Sequence, residues 1–555
     1  MPVRKTPRLR LLACSLILSA IRHSGCSQAR SITPAPEKNL NEHDDAPSAR
    51  NDVTSLPGVG PLDAVGIAMA AGYLDAGAPP SGEAGNMYAH YICTADASIW
   101  TDMSKPVVFW YNGGPGASSL FGLMQEFGPL LLTDDAYTPS GMQPVRNAYA
   151  WSQQAVVCAI DSPPPIGLGF CTQQGPAGPA TSCGAWKDSL VFEANRNAYD
   201  AFFKDAFPEW KGRTLYLAGE SYAGIYVPGF AKAIMDRPIE GVPFGGLMVG
   251  DGFTGCEPQP GKPADYCVNF KNIGLFEYPN AMPGPFYDIQ FFHGHSQMSE
   301  SLYRSLMQTC TGAEQAGDAP ISAQCQSLLD EMQAQVGYFY PYNLYDACLP
   351  RWNTSAHDFA GDKHGTNAAV RRRRTARRSS SLRSPSAGDQ DGGVGSPCLG
   401  NALPDWLLQD ETLAALGVIA GSRFVNTDNG EGFSYTTDQG SVGDIYLRAL
   451  SLGLRVLIYE GDSDACGLQT APIEDYFTKL FDDNGIKQTA VWRPWSLENS
   501  VQAGYRIEWL DGNATFASIR GSGHLAPLNR PAASLALFSS FVQGASLPGT
   551  TWHAA

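Results

Sequence analysis

The sequence contains few charged residues, and positive charge is in the minority. Of its 555 residues 17% are Asp, Glu, Lys or Arg, and 38 Lys and Arg against 54 Asp and Glu give a net charge of −16. Binding nucleic acid needs a positive surface, so the composition argues against a nucleic-acid-binding protein. Because 43% of the residues are hydrophobic, disorder over most of the chain is excluded and a large buried core is expected.

Long apolar runs are also missing. The run at 11–21 falls well short of the roughly 20 residues that cross a bilayer. It follows basic residues and precedes small ones, a pattern typical of a cleaved secretory signal over 1–29. Residues 30–55 are polar and rich in Pro, Ser and Asp, which predicts a disordered leader or pro-segment. We expect a secretory-pathway protein, secreted or in a lysosome- or vacuole-like compartment, with no membrane span after signal removal.

Metal-binding patterns are absent from the sequence, which has no CxxC pair and no His-x₃-His spacing, so neither a metal nor a cofactor is expected. Thirteen cysteines include Cys14 and Cys26 in the presumed signal, leaving eleven. The secretory pathway favours disulfides, and an odd number leaves at least one free thiol. Asn353 and Asn513 begin sequons for glycosylation. The plausible disulfide pairs are Cys171–Cys183, Cys256–Cys267, Cys310–Cys325 and Cys348–Cys398.

Short apolar runs closed by Gly, Asp or Pro predict buried strands. These runs are 106–111, 155–160, 214–218, 246–249 and 455–459. Between two of them, 188–207 has the apolar spacing of an amphipathic helix. Alternating strands and helices predict an α/β domain over 56–545, with a central, mostly parallel sheet and helices on both faces.

Residues 254–440 interrupt this alternation. They contain helical patches and several cysteines but no clear strand series, which indicates an insertion between the two halves of the sheet. Within the insertion, an Arg- and Ser-rich loop at 360–395 carries six arginines between 371 and 378. The loop is expected to be solvated and flexible. Cleavage there by a basic-specific protease is a further hypothesis, in which a Cys348–Cys398 bridge would keep the two chains joined.

The strongest local signal for chemistry is the run Gly219-Glu220-Ser221-Tyr222-Ala223-Gly224. It follows a predicted strand and precedes a helix-like segment, so Ser221 is placed at a sharp strand-to-helix turn. An ordinary turn would have the same form. However, Asp464 follows the strand at 455–459, and His524 lies in a glycine-flanked turn after 514–519. Serine, acid and histidine in this chain order are typical of α/β-hydrolases, in which the histidine accepts the proton of the serine and the acid orients the histidine.

A glycine-rich turn at 112–120 follows the first predicted strand. Its backbone amides could approach a developing oxyanion closely. The turn has neither GK[ST] nor GxGxxG, so it is not a phosphate-binding loop. Three further motifs are Glu126-Phe-Gly-Pro, Gly461-Asp-Ser-Asp464 and Gly523-His-Leu-Ala-Pro527. With the glycine-rich turn and the serine turn, they make the chain resemble the serine carboxypeptidases from about 56 to 542. The resemblance is thin across 254–440, where the lid insertion of that family would lie.

The resemblance implies a role for each matching residue. Ser221 matches the nucleophile, Asp464 the triad acid and His524 the general base. The amides of Gly114 and Tyr222 match the oxyanion hole. The group that binds the free C-terminal carboxylate of a peptide is matched by Asn112, Glu126 and Glu220.

Two carboxyl groups crowded near one substrate anion cannot both ionise, so one should keep its proton and donate a hydrogen bond. An acidic optimum is therefore expected. Position 117 is Ala where the family usually has Cys, so the bridge usually anchored there is absent. Cys466, close to the triad, is expected to be the unpaired thiol.

These features predict a serine-type carboxypeptidase that releases C-terminal residues from peptides or proteins through an acyl-enzyme. An acyltransferase on the same fold needs the same triad and oxyanion hole, and it remains an alternative. A lumenal binding or protective protein is a second alternative, although the complete Ser-Asp-His set argues against it. The sequence predicts neither the preferred C-terminal residue nor the oligomeric state.

Overall fold

The computed structural model describes residues 46–255, 257–258, 267–268, 285–316, 319–337, 339–346, 398–427, 433–466, 468–497 and 502–549. The Arg- and Ser-rich loop, Asn353 and the presumed signal lie outside these residues. No helix among the described residues is long and apolar enough to cross a membrane.

A twelve-stranded sheet forms the centre of the described part of the chain. In chain order its strands are β1 (Asn51–Asp52), β2 (Ile67–Gly77), β3 (Met87–Asp96), β4 (Val107–Tyr111), β5 (Val156–Ile160), β6 (Phe170–Cys171), β7 (Leu215–Ser221), β8 (Phe244–Gly252), β9 (Arg455–Gly461), β10 (Gln488–Ser496), β11 (Gln502–Trp509) and β12 (Ala514–Ile519). Their spatial order is β1-β2-β3-β5-β4-β7-β8-β9-β12-β11-β10, and β6 pairs with β3. In this spatial order, the five neighbouring pairs of the block β5-β4-β7-β8-β9-β12 are parallel. The outer pairs are antiparallel.

The α-helices of the described residues are α1 (Ala97–Thr101), α2 (Asp188–Ala201), α3 (Ala223–Asp236), α4 (Phe286–Gly294), α5 (Glu300–Thr309), α6 (Gly312–Gln315), α7 (Ala323–Val336), α8 (Ala402–Leu407), α9 (Asp410–Ala415), α10 (Gly443–Ser451), α11 (Thr470–Asp483), α12 (Ala526–Asn529) and α13 (Pro531–Gln543). Two π-helical segments, Gly122–Phe127 and Phe202–Ala206, complete the helical elements that the site uses. Short strand pairs outside the sheet are Ser55–Leu56 with Gly60–Pro61, Leu130–Leu131 with Val145–Arg146, Tyr137–Thr138 with Gly141–Met142, Trp186–Lys187 with Tyr435–Thr436, and Glu257–Pro258 with Cys267–Val268.

Helices cover both faces of the sheet, as predicted. Successive residues of β4 point to opposite faces, so Phe109 joins one apolar cluster and Trp110 the other. The first cluster includes side chains of α2, α3, α10 and α11, and the second includes side chains of the first π-helix, α8 and α13. All five predicted strands form, because continuous apolar runs suit strands buried on both faces. The predicted helix at 188–207 is α2 followed by the second π-helix.

Ordered structure begins before the predicted boundary at 55/56. Asn51 and Asp52 pair with Ala71 and Ala70 of β2. The carbonyl of Ala49 also accepts a 2.7 Å hydrogen bond from the hydroxyl of Tyr91. Residues 46–55 therefore belong to the folded domain and not to the predicted disordered leader. Their polar composition did not reveal this, because their contacts are mainly backbone hydrogen bonds to a sheet edge.

The regular structure in the described part of the insertion is mainly helical, with three two-residue strands, Glu257–Pro258, Cys267–Val268 and Tyr435–Thr436. Helices α4, α5 and α7 form a small apolar cluster of their own around Ile289 and Leu306. The predicted Cys310–Cys325 disulfide joins this cluster.

Disulfides link other parts of the domain. The predicted Cys171–Cys183 pair forms, and Cys93 on β3 is bonded to Cys158 on β5, a pair that the sequence analysis did not propose. The predicted pairs Cys256–Cys267 and Cys348–Cys398 each include a residue outside the described part of the chain, Cys256 and Cys348. Cys398 itself is disulfide-bonded.

Candidate active site

Ser221 lies at the tight turn predicted from the sequence. It is the last residue of β7, and α3 begins two residues later at Ala223. Its φ of 64° is in the left-handed region, which non-glycine residues rarely adopt. A Cβ on Gly219 would lie 2.6 Å from the carbonyl oxygen of Tyr111 and 2.7 Å from the Cβ of Ala223, so the turn requires glycine there. This geometry presents a half-buried serine hydroxyl at the N-terminus of a helix.

The glycine-rich turn packs directly against the serine. A Cβ on Gly113 would lie 2.4 Å from the amide nitrogen of Tyr222 and 2.8 Å from the Cβ of Ser221. The close approach therefore excludes any side chain at 113, a position that the sequence analysis did not single out. Gly114 follows with a φ of 112° that only glycine adopts readily. Of the two predicted oxyanion-hole residues, Tyr222 directly follows Ser221 and Gly114 directly follows Gly113, which packs against both.

His524 and Asp464 meet as predicted. The Nδ1 atom of His524 lies 2.8 Å from Oδ2 of Asp464, and both side chains are buried. Asp464 follows β9 and His524 follows β12, and these strands are adjacent and parallel. The other carboxylate oxygen, Oδ1, accepts from the amide of Cys466 at 2.7 Å. Burial raises the pKa of Asp464, while the charge of His524 and its hydrogen bond act in the opposite direction.

A segment of the insertion supports the histidine. The amide of His524 donates to the carbonyl of Tyr342 across 2.7 Å, and the two rings lie 5.0 Å apart between centroids. The hydroxyl of Ser463, beside the acid, donates to Oδ1 of Asn343. Sequence analysis missed these contacts because they depend on how the insertion folds back over the sheet.

The predicted carboxylate-binding residues form one buried cluster. Nδ2 of Asn112 donates to Oε1 of Glu220 at 2.9 Å. Oδ1 of Asn112 accepts from Nε1 of Trp110 and from the amide of Gly122, each at 2.9 Å, and these bonds fix the orientation of the amide. Glu220 and Glu126 are 2% and 1% exposed, and their carboxyl groups lie within hydrogen-bond reach of each other. Since two carboxylates offer no donor, one of the pair holds a proton.

The pKa shifts of the pair have the same physical origin. Burial raises the pKa of Glu126 to about 7, and the hydrogen bond to Glu220, the charge of His524 and the bond to Asn112 lower it. Burial, followed by the charge of Glu126, raises the pKa of Glu220 well above its usual range. Glu126 is thus close to both Glu220, which precedes Ser221, and His524. This proximity places the carboxyl pair beside both the serine turn and the imidazole.

Asp161 anchors the glycine-rich turn from below. Its Oδ1 accepts from the hydroxyl of Ser118 at 2.6 Å and from the amide of Ser119 at 3.0 Å. These bonds fix the loop at the point where Ala117 replaces the cysteine expected from the family resemblance. Asp161 directly follows β5, so an acid at the carboxyl end of a strand was the signal that could have revealed it.

Cys466 is disulfide-bonded, so the expectation of an unpaired thiol there is wrong. That expectation rested on the odd number of cysteines, which does not indicate which one is left over. Asp464, Cys466 and His524 bring three potential ligand atoms within 4.8 Å of one another. A cysteine binds a metal as a thiolate. Because Cys466 is in a disulfide, it has no thiolate to offer, and this group does not fit a metal site.

The mostly parallel sheet, with Ser221 ending β7, Asp464 after β9 and His524 after β12, has the fold and the chain order of an α/β-hydrolase. Comparison with known proteins then gives the family. A family model described as serine carboxypeptidase matches residues 57–544, and the chain belongs to that family. It is a serine-type carboxypeptidase by class, a hydrolase, which confirms the resemblance seen in the sequence.

Curated relatives agree with this assignment, and a solved structure has a similar fold. Serine carboxypeptidase-like 30 (putative) of Arabidopsis thaliana is 29% identical, over 80% of this chain and 81% of the relative. Serine carboxypeptidase-like 40 of the same plant is 27% identical, over 84% of this chain and 79% of the relative. A prohormone-processing carboxypeptidase from Saccharomyces cerevisiae superposes with a TM-score of 0.57 at 16% identity, covering 89% of this chain and 94% of its own. That structure is similar in fold.

Proposed function

We propose that the enzyme releases C-terminal residues from peptides through an acyl-enzyme formed on Ser221. The observation that carries the proposal is the buried Asn112–Glu220–Glu126 cluster beside the serine turn. A buried amide and a carboxyl pair that retains a proton offer hydrogen-bond donors to an anion, and the pair carries less negative charge than two ionised carboxylates would. The free carboxylate of a peptide C-terminus is such an anion. Binding it there would place the last peptide bond next to Ser221.

In the first half of the reaction, Oγ of Ser221 attacks the carbonyl carbon of that bond, and Nε2 of His524 takes the hydroxyl proton. Asp464 holds the imidazole through Nδ1 and stabilises its charge. The amides of Gly114 and Tyr222 donate to the oxyanion. The C–N bond then breaks, His524 protonates the leaving amine, and the acyl group stays on Ser221.

In the second half, a water molecule attacks the acyl-enzyme. His524 takes a proton from the water, the ester bond to Ser221 breaks, and the proton returns to Oγ of Ser221. The shortened peptide leaves with a new terminal carboxylate. Replacing water by a hydroxyl acceptor would give an acyltransferase with the same machinery.

We expect peptide binding to be favoured at acidic pH. Because burial raises the pKa of Glu126 to about 7 and raises that of Glu220 well above its usual range, raising the pH through about 7 adds a negative charge to the pair, and this charge faces the substrate carboxylate. Like charges in a buried site repel strongly. KM should therefore rise toward alkaline pH.

The test is incubation with blocked dipeptides across pH 4–8, comparing free with amidated C-termini. Release of the terminal amino acid from the free acid, with little reaction of the amide, supports the proposal. Release of the amino acid with formation of an ester between the acyl group and an added alcohol, in place of the free N-blocked acid, would favour the acyltransferase. If neither reaction occurs, the binding or protective role is favoured.

We further propose that the protein enters the secretory pathway, that residues 254–440 act as a lid over the site, and that the Arg- and Ser-rich loop is cleaved. Disulfides such as Cys93–Cys158 are consistent with an oxidising compartment. Protein purified from its native source should then give two fragments under reducing conditions. A single full-length band after reduction would argue against cleavage.

A further inference from the structure

A second pair of buried carboxyl groups lies behind the proposed triad. Asp251 is near the end of β8 and Glu460 near the end of β9, and both side chains have no solvent exposure. These strands are neighbours and parallel, and their regular pairing ends with Gly250 opposite Tyr459. The two acids therefore occupy the point where the strands separate. Glu460 comes four residues before Asp464 in the chain.

Each side chain of the pair binds the backbone of the other strand. Oδ1 of Asp251 accepts from the amide of Gly461 at 2.7 Å, and Oε1 of Glu460 accepts from the amide of Gly252 at 3.4 Å. These crossed bonds continue the connection between β8 and β9 beyond the regular ladder. Asp251 has a φ of 44°, a left-handed conformation that aspartate tolerates better than most residues. The ends of the two strands are thus held by side chains.

The remaining oxygens of the pair contact each other. The carboxyl groups of Asp251 and Glu460 are within hydrogen-bond reach of one another. Among the described residues, Oδ2 of Asp251 and Oε2 of Glu460 have no other hydrogen-bond partner. A contact between two ionised carboxylates would be repulsive and would lack a donor, so the pair shares one proton.

The groups that face this pair are mainly acidic. Asp464 acts on both members, and Glu220 on β7 faces Asp251. Among the described residues, the phenols of Tyr459 on β9 and Tyr446 on α10 also face the pair. Burial, followed by the neighbouring negative charges, raises the pKa of both Asp251 and Glu460. The pair therefore keeps its proton through the acidic range.

We propose that Asp251 and Glu460 are positioning residues for the catalytic acid. Their shared proton ties the ends of β8 and β9 and holds the turn at 461–464, so that Asp464 meets Nδ1 of His524. This inference rests on the proposed role of Asp464 as triad acid. Loss of the shared proton would place two negative charges next to Asp464 and push the strand ends apart. Attack by Ser221 should then slow at alkaline pH even on a substrate that has no carboxylate.

The experiment measures the rate at which a fluorophosphonate inactivates the full chain between pH 4.5 and 8.5. The probe has no C-terminal carboxylate, so binding at Glu126 and Glu220 does not limit it. The variants are Glu460→Gln, Asp251→Asn and Glu460→Ala. Glu314→Gln, which alters a buried carboxyl that bonds to Thr311 and Ser322 in the insertion, is the matched control.

We expect Glu460→Gln and Asp251→Asn to keep a rate close to that of the wild type at pH 5, because an amide can donate to the remaining carboxylate. Their rates should stay constant to higher pH than in the wild type. Glu460→Ala removes both bonds, and a misplaced acid should slow inactivation about 100-fold. The control should follow the wild-type profile.

Two outcomes would overturn the inference. The inference is overturned if the inactivation rates of Glu460→Gln and Asp251→Asn fall at alkaline pH in the same way as that of the wild type. This outcome can be read even if Glu460→Ala does not fold. A lower melting temperature in the variants with no change in the pH profile would indicate a structural role only. The proposed function fails separately, if Ser221→Ala is still labelled. If labelling depends on Ser221 but the Asp251 and Glu460 variants behave like the wild type, only the positioning role is rejected.

Discussion

Nδ2 of Asn112 donates to Oε1 of Glu220 across 2.9 Å and so joins the glycine-rich turn to the residue that precedes Ser221. Through this bond the predicted carboxylate-binding group and the nucleophile turn form one unit. Glu126 extends that unit toward His524. Recognition of a chain terminus and attack on its last peptide bond would therefore use adjoining groups.

The double variant Glu126→Gln with Glu220→Gln should lose most of the pH dependence of KM. Amides keep the hydrogen-bonding capacity of the pair but cannot gain a negative charge above the pKa of about 7 that burial gives Glu126. KM for a blocked dipeptide should then stay nearly constant from pH 5 to 8, while it rises in the wild type. An unchanged rise in the double variant would rule out proton sharing as its cause.

Asp464→Asn should reduce kcat about 10⁴-fold, as loss of the buried acid does in other Ser-His-Asp enzymes. An amide cannot stabilise the charged imidazole, and its NH₂ group favours the wrong tautomer of His524. Peptide hydrolysis at the optimal pH measures the effect. Asp483→Asn, at an exposed ion pair with Lys479, is the control and should retain full activity. A loss of less than tenfold in Asp464→Asn would remove Asp464 from the triad.

Gly113→Ala should abolish activity. The added Cβ would lie 2.4 Å from the amide nitrogen of Tyr222 and 2.8 Å from the Cβ of Ser221. Neither atom is at the end of a flexible side chain, so the oxyanion turn must move away from the serine. Kinetic and thermal unfolding assays test this against Gly294→Ala, where the new methyl group would meet no atom within 4 Å. Equal activity in the two variants would show that the turn is not packed against Ser221 in this way.

Thermal stability should fall as the pH rises from about 4 to about 7. Burial raises the pKa of Glu126 and of Asp161 to about 7, above the values in the unfolded chain, so the folded protein binds more protons. Stability from such groups is complete below the unfolded pKa and is lost as the pH rises through the folded one. Each contributes on the order of 3 kcal/mol over this range. His90, beside Asp161, offsets part of this effect, because burial lowers its pKa to about 3 and the unfolded chain binds a proton there up to the ordinary histidine pKa.

Melting temperatures across pH 4–8 check this prediction. The combination of Glu126→Gln with Asp161→Asn should flatten the dependence. A melting temperature that increases toward pH 8 in the wild type would contradict it.

Much of the central sheet could be predicted from the sequence, because short apolar runs such as 106–111, closed by turn residues, favour strands buried on both faces. The antiparallel strands β2 and β3 were not predicted. They include small and polar residues such as Gly72 and His90, and their burial depends on the segments that cover them. The Cys93–Cys158 bridge follows from the register of β3 against β5, which no spacing in the sequence reveals.

The candidate site was predictable where residues lie in motifs and not where it depends on tertiary contacts. Ser221, Asp464 and His524 each follow a recognisable strand, so their convergence at one sheet edge could be expected. The contact between Asp251 and Glu460 needs two adjacent strands whose sequence separation is large. The support of His524 by Tyr342 needs the folded insertion.

The most direct test of this account is mass spectrometry of the protein after reaction with a fluorophosphonate. We predict one adduct, on the peptide that contains Ser221, and no adduct in Ser221→Ala that has the same melting temperature as the wild type. An adduct on another residue, or undiminished labelling of Ser221→Ala, would contradict the assignment of the nucleophile.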